Sequence, residues 1–442
     1  MMKFIFMFLF MIFMMVGNKL VSFYFNLCYF MSFMVVGMYM YKDILWGAMS
    51  GGFGIDYYSI WLMILSIWIL GLMMMCMGDT VDIIKMLVFL MLLVILVMFF
   101  ISLDLFWFYF MFEVSLIPTF FLIIYWGSNV ERLGASFYLM LYMMMISFPF
   151  LVYVYKIGMW GFTFKFSLMG LFLEYYNFSI WSFLMIFMSF FIKLPIYMFH
   201  IWLPKAHVEA PVYGSMILAG VLLKMGGYGL IRFFSMFIYG SVKFGYLVFS
   251  VSLIGSIFAG VICLVQIDMK SLVAYSSVVH MNFMLCSLLT YFKSGVVGSY
   301  IIMLSHGLCS SGMFYMVNLY YERSFSRLMF LNKGMLSKMP LMALFWFLLS
   351  IINFSFPFCM NFISEILTLM VLLNWDNFIL LNLMMVCFIS SAYSLYLYSY
   401  IQHNYFSYSE NVYNFGVCKE YLVLIIHVYP LIFFMLNLVV FM

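Results

Sequence analysis

The sequence predicts an all-α, polytopic membrane protein of about fourteen transmembrane helices. Three observations predict it. Hydrophobic residues make up 68% of the chain and charged residues only 8%, whereas soluble domains are about a quarter charged. The mean hydropathy is +1.18. The apolar residues also run in blocks of roughly twenty, the length that spans a bilayer core as a helix. A soluble protein of 442 residues cannot cover its surface with so few charges. In lipid the same deficit is a requirement, because helices satisfy their own backbone there and charges do not belong.

The apolar runs place helices near 2–16, 20–41, 56–77, 83–102, 104–125, 132–155, 178–198, 212–236, 243–265, 271–291, 296–319, 340–370, 376–402 and 420–441. The first run follows Lys3 like a signal-peptide core, but no small-residue cleavage site follows it, so it reads as a short helix. Gly51-Gly52-Phe53-Gly54 reads as a flexible connection, and Trp126-Gly127-Ser128-Asn129 ends a helix before Glu131-Arg132 starts the next. The segment from Glu322 to Lys338 holds Arg323, Arg327, Lys333 and Lys338, the strongest basic cluster. That cluster is expected to face the negative compartment. The net charge of +4 says little in such a chain.

Two of the helices read as interrupted. One carries Lys193-Leu194-Pro195, the other Asn353-Phe354-Ser355-Phe356-Pro357 with Asn361 and Glu365 close behind. Proline removes a helix hydrogen bond and frees a carbonyl inside the membrane. Each break lies near an ionisable residue and in a different half of the chain, the pattern of transporters built from repeated halves. The chain therefore reads as one transmembrane domain, 1–442, with repeats at 83–236 and 243–402 and flanking helices in 1–82 and 420–442.

A charge inside a bilayer costs at least about 2.5–3.5 kcal/mol, so it persists where it is paired, hydrated or useful. Glu113 lies midway in its apolar run, about 13 Å in at 1.5 Å per residue, and Lys224 lies about 18 Å past Val212. Lys193, His280, His306 and Glu365 also fall within apolar runs. A Glu, two Lys, a His and a second Glu make a line of titratable groups, and such lines with water between them carry protons. Burial favours the neutral form of both Lys and Glu, so separating a Glu–Lys pair drives each toward neutrality. The plainer readings are structural ion pairing for Glu113 and Lys193, snorkelling for Lys224, helix capping for Glu365 and satisfied core histidines for His280 and His306.

Several chemistries find no support. The eight Cys are scattered singly with no C-x-x-C, so neither a zinc nor an iron–sulfur site is indicated. His200, His207 and Glu209 are too loosely spaced for a metal, with Pro204 between them, and His280 with His306 is thin support for a bis-His haem. No Gly-rich nucleotide loop follows a strand. Gly226, Gly227 and Gly229 fit close helix packing. The residue bias is informative in another way. Met, Phe and Tyr are abundant at 48, 56 and 34 residues, while Arg is confined to Arg132, Arg232, Arg323 and Arg327. That fits the codons of an AT-rich organelle genome.

The blocks KLPIYMFHIWLPKAHVEAP from Lys193 to Pro211, GSMILAG from Gly214 and LKMGGYG from Leu223 resemble the antiporter-like subunits of respiratory complex I. So do FEVSLIP from Phe112, AYSSVVH ending at His280, SHG around His306, and the shorter QIDMK from Gln266 and YER from Tyr321. The resemblance covers essentially the whole chain and is most specific from 193 to 229. It implies two inverted five-helix repeats with a broken helix in each. By position it implies Glu113 and Lys193 as a coupled pair and Lys224 as the central proton carrier. It further implies His306 as the relay between halves, Glu365 as the terminal acid and His280 as an accessory. It implies no cofactor in this chain, with NADH, FMN, iron–sulfur clusters and ubiquinone in other subunits. The implied partners are the other membrane-arm subunits, neighbouring antiporter-like chains among them, and phospholipids, with no nucleic acid. The implied location is the mitochondrial inner membrane. A free-standing cation/proton antiporter and a non-pumping structural subunit are the alternatives.

Overall fold

The computed structural model describes residues 2–14, 21–37, 47–50, 52–77, 82–161, 163–173, 179–403 and 416–436. Parts of the expected helices, at 15–16, 20, 38–41, 178 and 437–441, and Gly51 of the expected connection lie outside the described residues.

In chain order the elements are α1 (Met2–Met14), α2 (Val21–Val36), a hairpin of β1 (Gly47–Ser50) and β2 (Phe53–Ile55), α3 (Tyr57–Cys76), α4 (Ile83–Ile101), α5 (Leu105–Val114), α6 (Leu116–Trp126), α7 (Arg132–Gly161), α8 (Phe166–Leu173), α9 (Ile180–Lys193), α10 (Trp202–Glu209) and α11 (Val212–Ile217). A π-helical turn, Leu218–Leu222, joins α11 to α12 (Leu223–Met236). Then come α13 (Ile238–Val265), α14 (Met269–Leu288), α15 (Lys293–Ser324), α16 (Met335–Lys338), α17 (Pro340–Asn353), α18 (Met360–Trp375), α19 (Leu380–Gln402) and α20 (Cys418–Phe433).

The protein is thus helical and membrane-spanning, as the apolar runs require. Among the described residues ten helical stretches are long and apolar enough to cross a bilayer, with four shorter apolar helices. Described residues on either side of Gly51 form a hairpin: Gly47 pairs with Ile55 and Ser50 with Phe53, and Gly52 takes φ +86°. Only a residue without Cβ adopts that conformation freely.

The chain forms two compact units. One holds Met1–Lys193 with Glu209–Gly245, the other Leu194–Val208 with Tyr246–Met442. In the first, α3 packs on α2 and α4, and α9 packs on α7 and α12. In the second, α15 is the centre, packed against α14, α17, α18 and α20. The most enclosed spans are the least hydropathic ones, α11–α12, α14 and α15, while α4 and α13 are richer in apolar residues and half exposed. The inversion follows from the solvent, since lipid demands apolar surface and the interior tolerates polar groups that find partners. On α7 the outer face is Phe137, Leu141, Met145, Phe148 and Val152, all exposed.

Both expected breaks are present, and the helices stop earlier than hydropathy places them. α9 ends at Lys193, directly before Leu194-Pro195, and Met198 then takes φ +79°. The single helix expected over 340–370 is two, α17 and α18, with Ser355 at φ +58° and Phe358 at φ +74° between them. Such positions cost about 1–3 kcal/mol each unless the surroundings hold them. An asparagine serves each break. The Asn282 amide donates to the Pro195 carbonyl at 3.2 Å, and the Asn361 amide donates to the Ile352 carbonyl at 2.8 Å. Asn361→Leu removes one donor from that carbonyl, which keeps the Ser355 amide at 3.1 Å, a loss of about 0.5–1.5 kcal/mol. A fall in melting temperature of the detergent-purified protein is expected. An unchanged melting temperature would show that the second break is closed by other groups.

Candidate functional site

The ionisable residues singled out from the sequence collect inside each unit. In the first, Pro118 cannot donate to Val114, and the helix that hydropathy drew as one piece turns at Ser115 into α5 and α6. Glu113 precedes that turn. Lys193 reaches it from the end of α9. Its Nζ donates to the Phe112 carbonyl at 2.8 Å and lies 3.5 Å from Ser115 Oγ, while Ser115 Oγ donates to the same carbonyl at 2.7 Å. The ammonium also stands 3.2 Å from the centroid of the Phe112 ring. Lys193 is 2% exposed.

Glu113 and Lys193 interact electrostatically, and Ser147 of α7 and Tyr109 also face the carboxylate. Yet no oxygen–nitrogen contact within 4.0 Å joins Glu113 to Lys193 among the described residues. The cation is held one residue away, on the Phe112 carbonyl, with the carboxylate beside it. A bed of rings encloses the group: Phe190 lies 5.5 Å from Phe112 and 4.9 Å from Phe233. Gly229 permits that packing, because a Cβ there would come within 2.4 Å of the Phe190 ring.

Lys224 is fully buried one residue into α12, just after the π-helical turn. A π turn widens the hydrogen-bond ring by one residue and occurs often at functional sites. Here the Lys224 ammonium folds back and donates to the carbonyl of Ala219, five residues earlier, within that turn.

In the second unit, His280 of α14 is the hub. Its Nδ1 lies 3.7 Å from the Glu365 carboxylate on α18, and its Nε2 lies 3.3 Å from Tyr393 Oη on α19. The His306 ring of α15 is 5.4 Å away, centroid to centroid. Glu365 is tied to the break in front of it, for Ser355 Oγ donates to its carboxylate. A cavity of about 10 Å³, room for one water, is lined by His280, Glu365, Val279, Phe283, Cys387 and Ser390. His280, which the resemblance ranks as accessory, therefore stands between Glu365, Tyr393 and His306.

Sequence reasoning missed Tyr393 and Ser355. The signal for Tyr393 was Ser390-Ser391-Ala392-Tyr393-Ser394, a polar patch in an apolar helix. The two histidines set aside earlier are aromatic partners: His200 stacks on Tyr197 at 5.0 Å and His207 on Phe314 at 4.8 Å. Within the basic cluster, Arg323 bonds Glu420 at 2.5 Å and Arg327 donates to the Val208 carbonyl at 2.6 Å.

Residues 102–391 match the family model described as NADH:quinone oxidoreductase/Mrp antiporter, transmembrane. Residues 1–103 match the model described as NADH-ubiquinone oxidoreductase chain 4, amino terminus. The NADH-ubiquinone oxidoreductase chain 4 of Ceratitis capitata is 40% identical over 86% of this chain and 85% of its own length. That of Aedes aegypti is 42% identical over 98% of this chain and 97% of its own. Among solved structures, a chain of respiratory complex I from Thermus thermophilus shares the fold, with a TM-score of 0.86 at 18% identity over 97% of this chain and 94% of that one. Two family models that together run from residue 1 to 391, and full-length relatives at about 40% identity, place the chain in the NADH-ubiquinone oxidoreductase chain 4 family.

Proposed function

We propose that this chain is a proton-translocating membrane-arm subunit of NADH:ubiquinone oxidoreductase in the mitochondrial inner membrane. One observation carries the reading: in each unit a broken membrane helix stands beside a half-buried carboxylate and a base, Glu113 with Lys193 and Glu365 with His280. A carboxylate and a base in a dry interior exchange protons according to the field around them.

In the first unit, Lys193 rests on a main-chain carbonyl next to Glu113, a position it can leave or regain without unfolding a helix. Lys224 on the enclosed α12 holds the next proton. In the second, His280 takes a proton at one ring nitrogen and releases one from the other, between Tyr393 and Glu365. Tyr393 Oη both donates and accepts, so it serves either tautomer of His280 as the proton passes. His306 stands beside this step.

The driving redox chemistry belongs to other subunits, which hold NADH, FMN, iron–sulfur clusters and ubiquinone. The other membrane-arm subunits, neighbouring antiporter-like chains among them, and phospholipids cover the exposed apolar faces, such as that of α7. The names of the full-length relatives favour this reading over a free-standing antiporter. Native isolation in mild detergent with mass spectrometry tests it. The chain is expected in one large assembly with NADH:quinone activity. Isolation alone, or with antiporter partners and no NADH oxidation, would overturn the assignment.

A further inference from the structure

One buried charged group in the first unit is used by no step above. Lys224, Tyr228 and Arg232 are spaced by four along α12 and share one face of the helix. Eight residues at 1.5 Å set Arg232 about 12 Å along the axis from Lys224, toward the end of α12. Arg232 is 8% exposed and pairs with Asp56, which is 5% exposed. Arg232 Nη2 also donates to Tyr228 Oη at 2.8 Å, and Tyr228 Oη donates to the Phe100 carbonyl at 2.9 Å. The guanidinium carbon lies 4.8 Å from the Tyr228 ring centroid. Asp56 is fixed from its own side, since it follows β2 directly and caps α3, accepting from the Ser59 amide at 3.1 Å.

A proton wire needs groups that both take and give a proton. Tyr228 has committed its hydrogen to Phe100 and a lone pair to Arg232. Arginine does not deprotonate in proteins and has no acceptor. A fixed positive charge set in a polar path repels protons and cations, as in water channels. We propose that Arg232, held by Asp56 and Tyr228, is a proton barrier at the hairpin end of α12, and that it keeps a proton on Lys224 from escaping along that helix. The inference rests on Lys224 being a proton carrier.

The test is the decay of an imposed pH gradient across proteoliposomes that contain the assembled complex, without substrate. Arg232→Gln is expected to speed the decay several-fold, and wild-type tightness in that variant overturns the barrier. The double variant Asp56→Asn/Arg232→Gln leaves no unpaired charge. It is expected to leak as well, and a tight double variant would show a pair that only holds α3 to α12. Adding Lys224→Ala to Arg232→Gln is expected to restore tightness, and a persistent leak would separate the barrier from Lys224. Lys224→Ala alone, read by substrate-driven pumping, tests the earlier reading independently of these outcomes.

Discussion

Lys224→Ala is expected to abolish proton movement through this subunit while the complex still assembles. Lys224 is fully buried in an enclosed span, where an ammonium costs at least about 2.5–3.5 kcal/mol. Its removal relieves that cost and withdraws a donor from the Ala219 carbonyl, a loss of about 1–3 kcal/mol. The two oppose each other, and the volume lost with the stem adds a cavity cost. Lys224→Met keeps the bulk of the stem and is expected to behave alike, which separates lost volume from the lost proton site. The measurement is protons moved per electron in proteoliposomes supplied with NADH and quinone. The wild-type ratio in an assembled variant would sink the role given to Lys224.

Glu113→Gln is expected to cost nearly as much. The substitution keeps shape and removes the charge beside Lys193. The two groups interact electrostatically in an interior that screens charge weakly. Proton binding at Lys193 should therefore respond to the loss of the Glu113 charge. Lys193 keeps its bond to the Phe112 carbonyl in the variant, so the fold at the break survives. The pH profile of coupled turnover reads that response. A profile that superimposes on the wild type would show that the two groups do not communicate.

The helical plan was legible because lipid imposes one simple rule on the chain. Each apolar run corresponds to a helix or a broken helix, and Pro195 and Pro357 marked two of the interruptions, while the turn at Ser115 ahead of Pro118 went unread. Hydropathy could not show what a polar residue faces. It read the glycine-rich segment as flexible, since two strands as short as β1 and β2 leave almost no periodic trace. It missed Asn282 and Asn361, whose value lies in a carbonyl far away in the chain or across a break. The resemblance implied Glu113 and Lys193 as a pair but not the Phe112 carbonyl that holds the cation, because a backbone acceptor has no letter in the sequence. Hydropathy passed over Arg232 and Asp56 near helix ends, where a charge looks ordinary, and only the packing of α12 brings them together.

The π-helical turn at Leu218–Leu222 acts as a phase offset. An α-helix advances 100° per residue, so one residue more or less before Lys224 rotates every later side chain by that angle. The face that bears Lys224, Tyr228 and Arg232 owes its direction, relative to α11, to a single added residue. Deleting one residue from the turn would point all three elsewhere at once, although the shortened segment would make a more regular helix. A reading-frame-preserving loss of one codon should thus be among the most damaging changes open to this stretch of the gene.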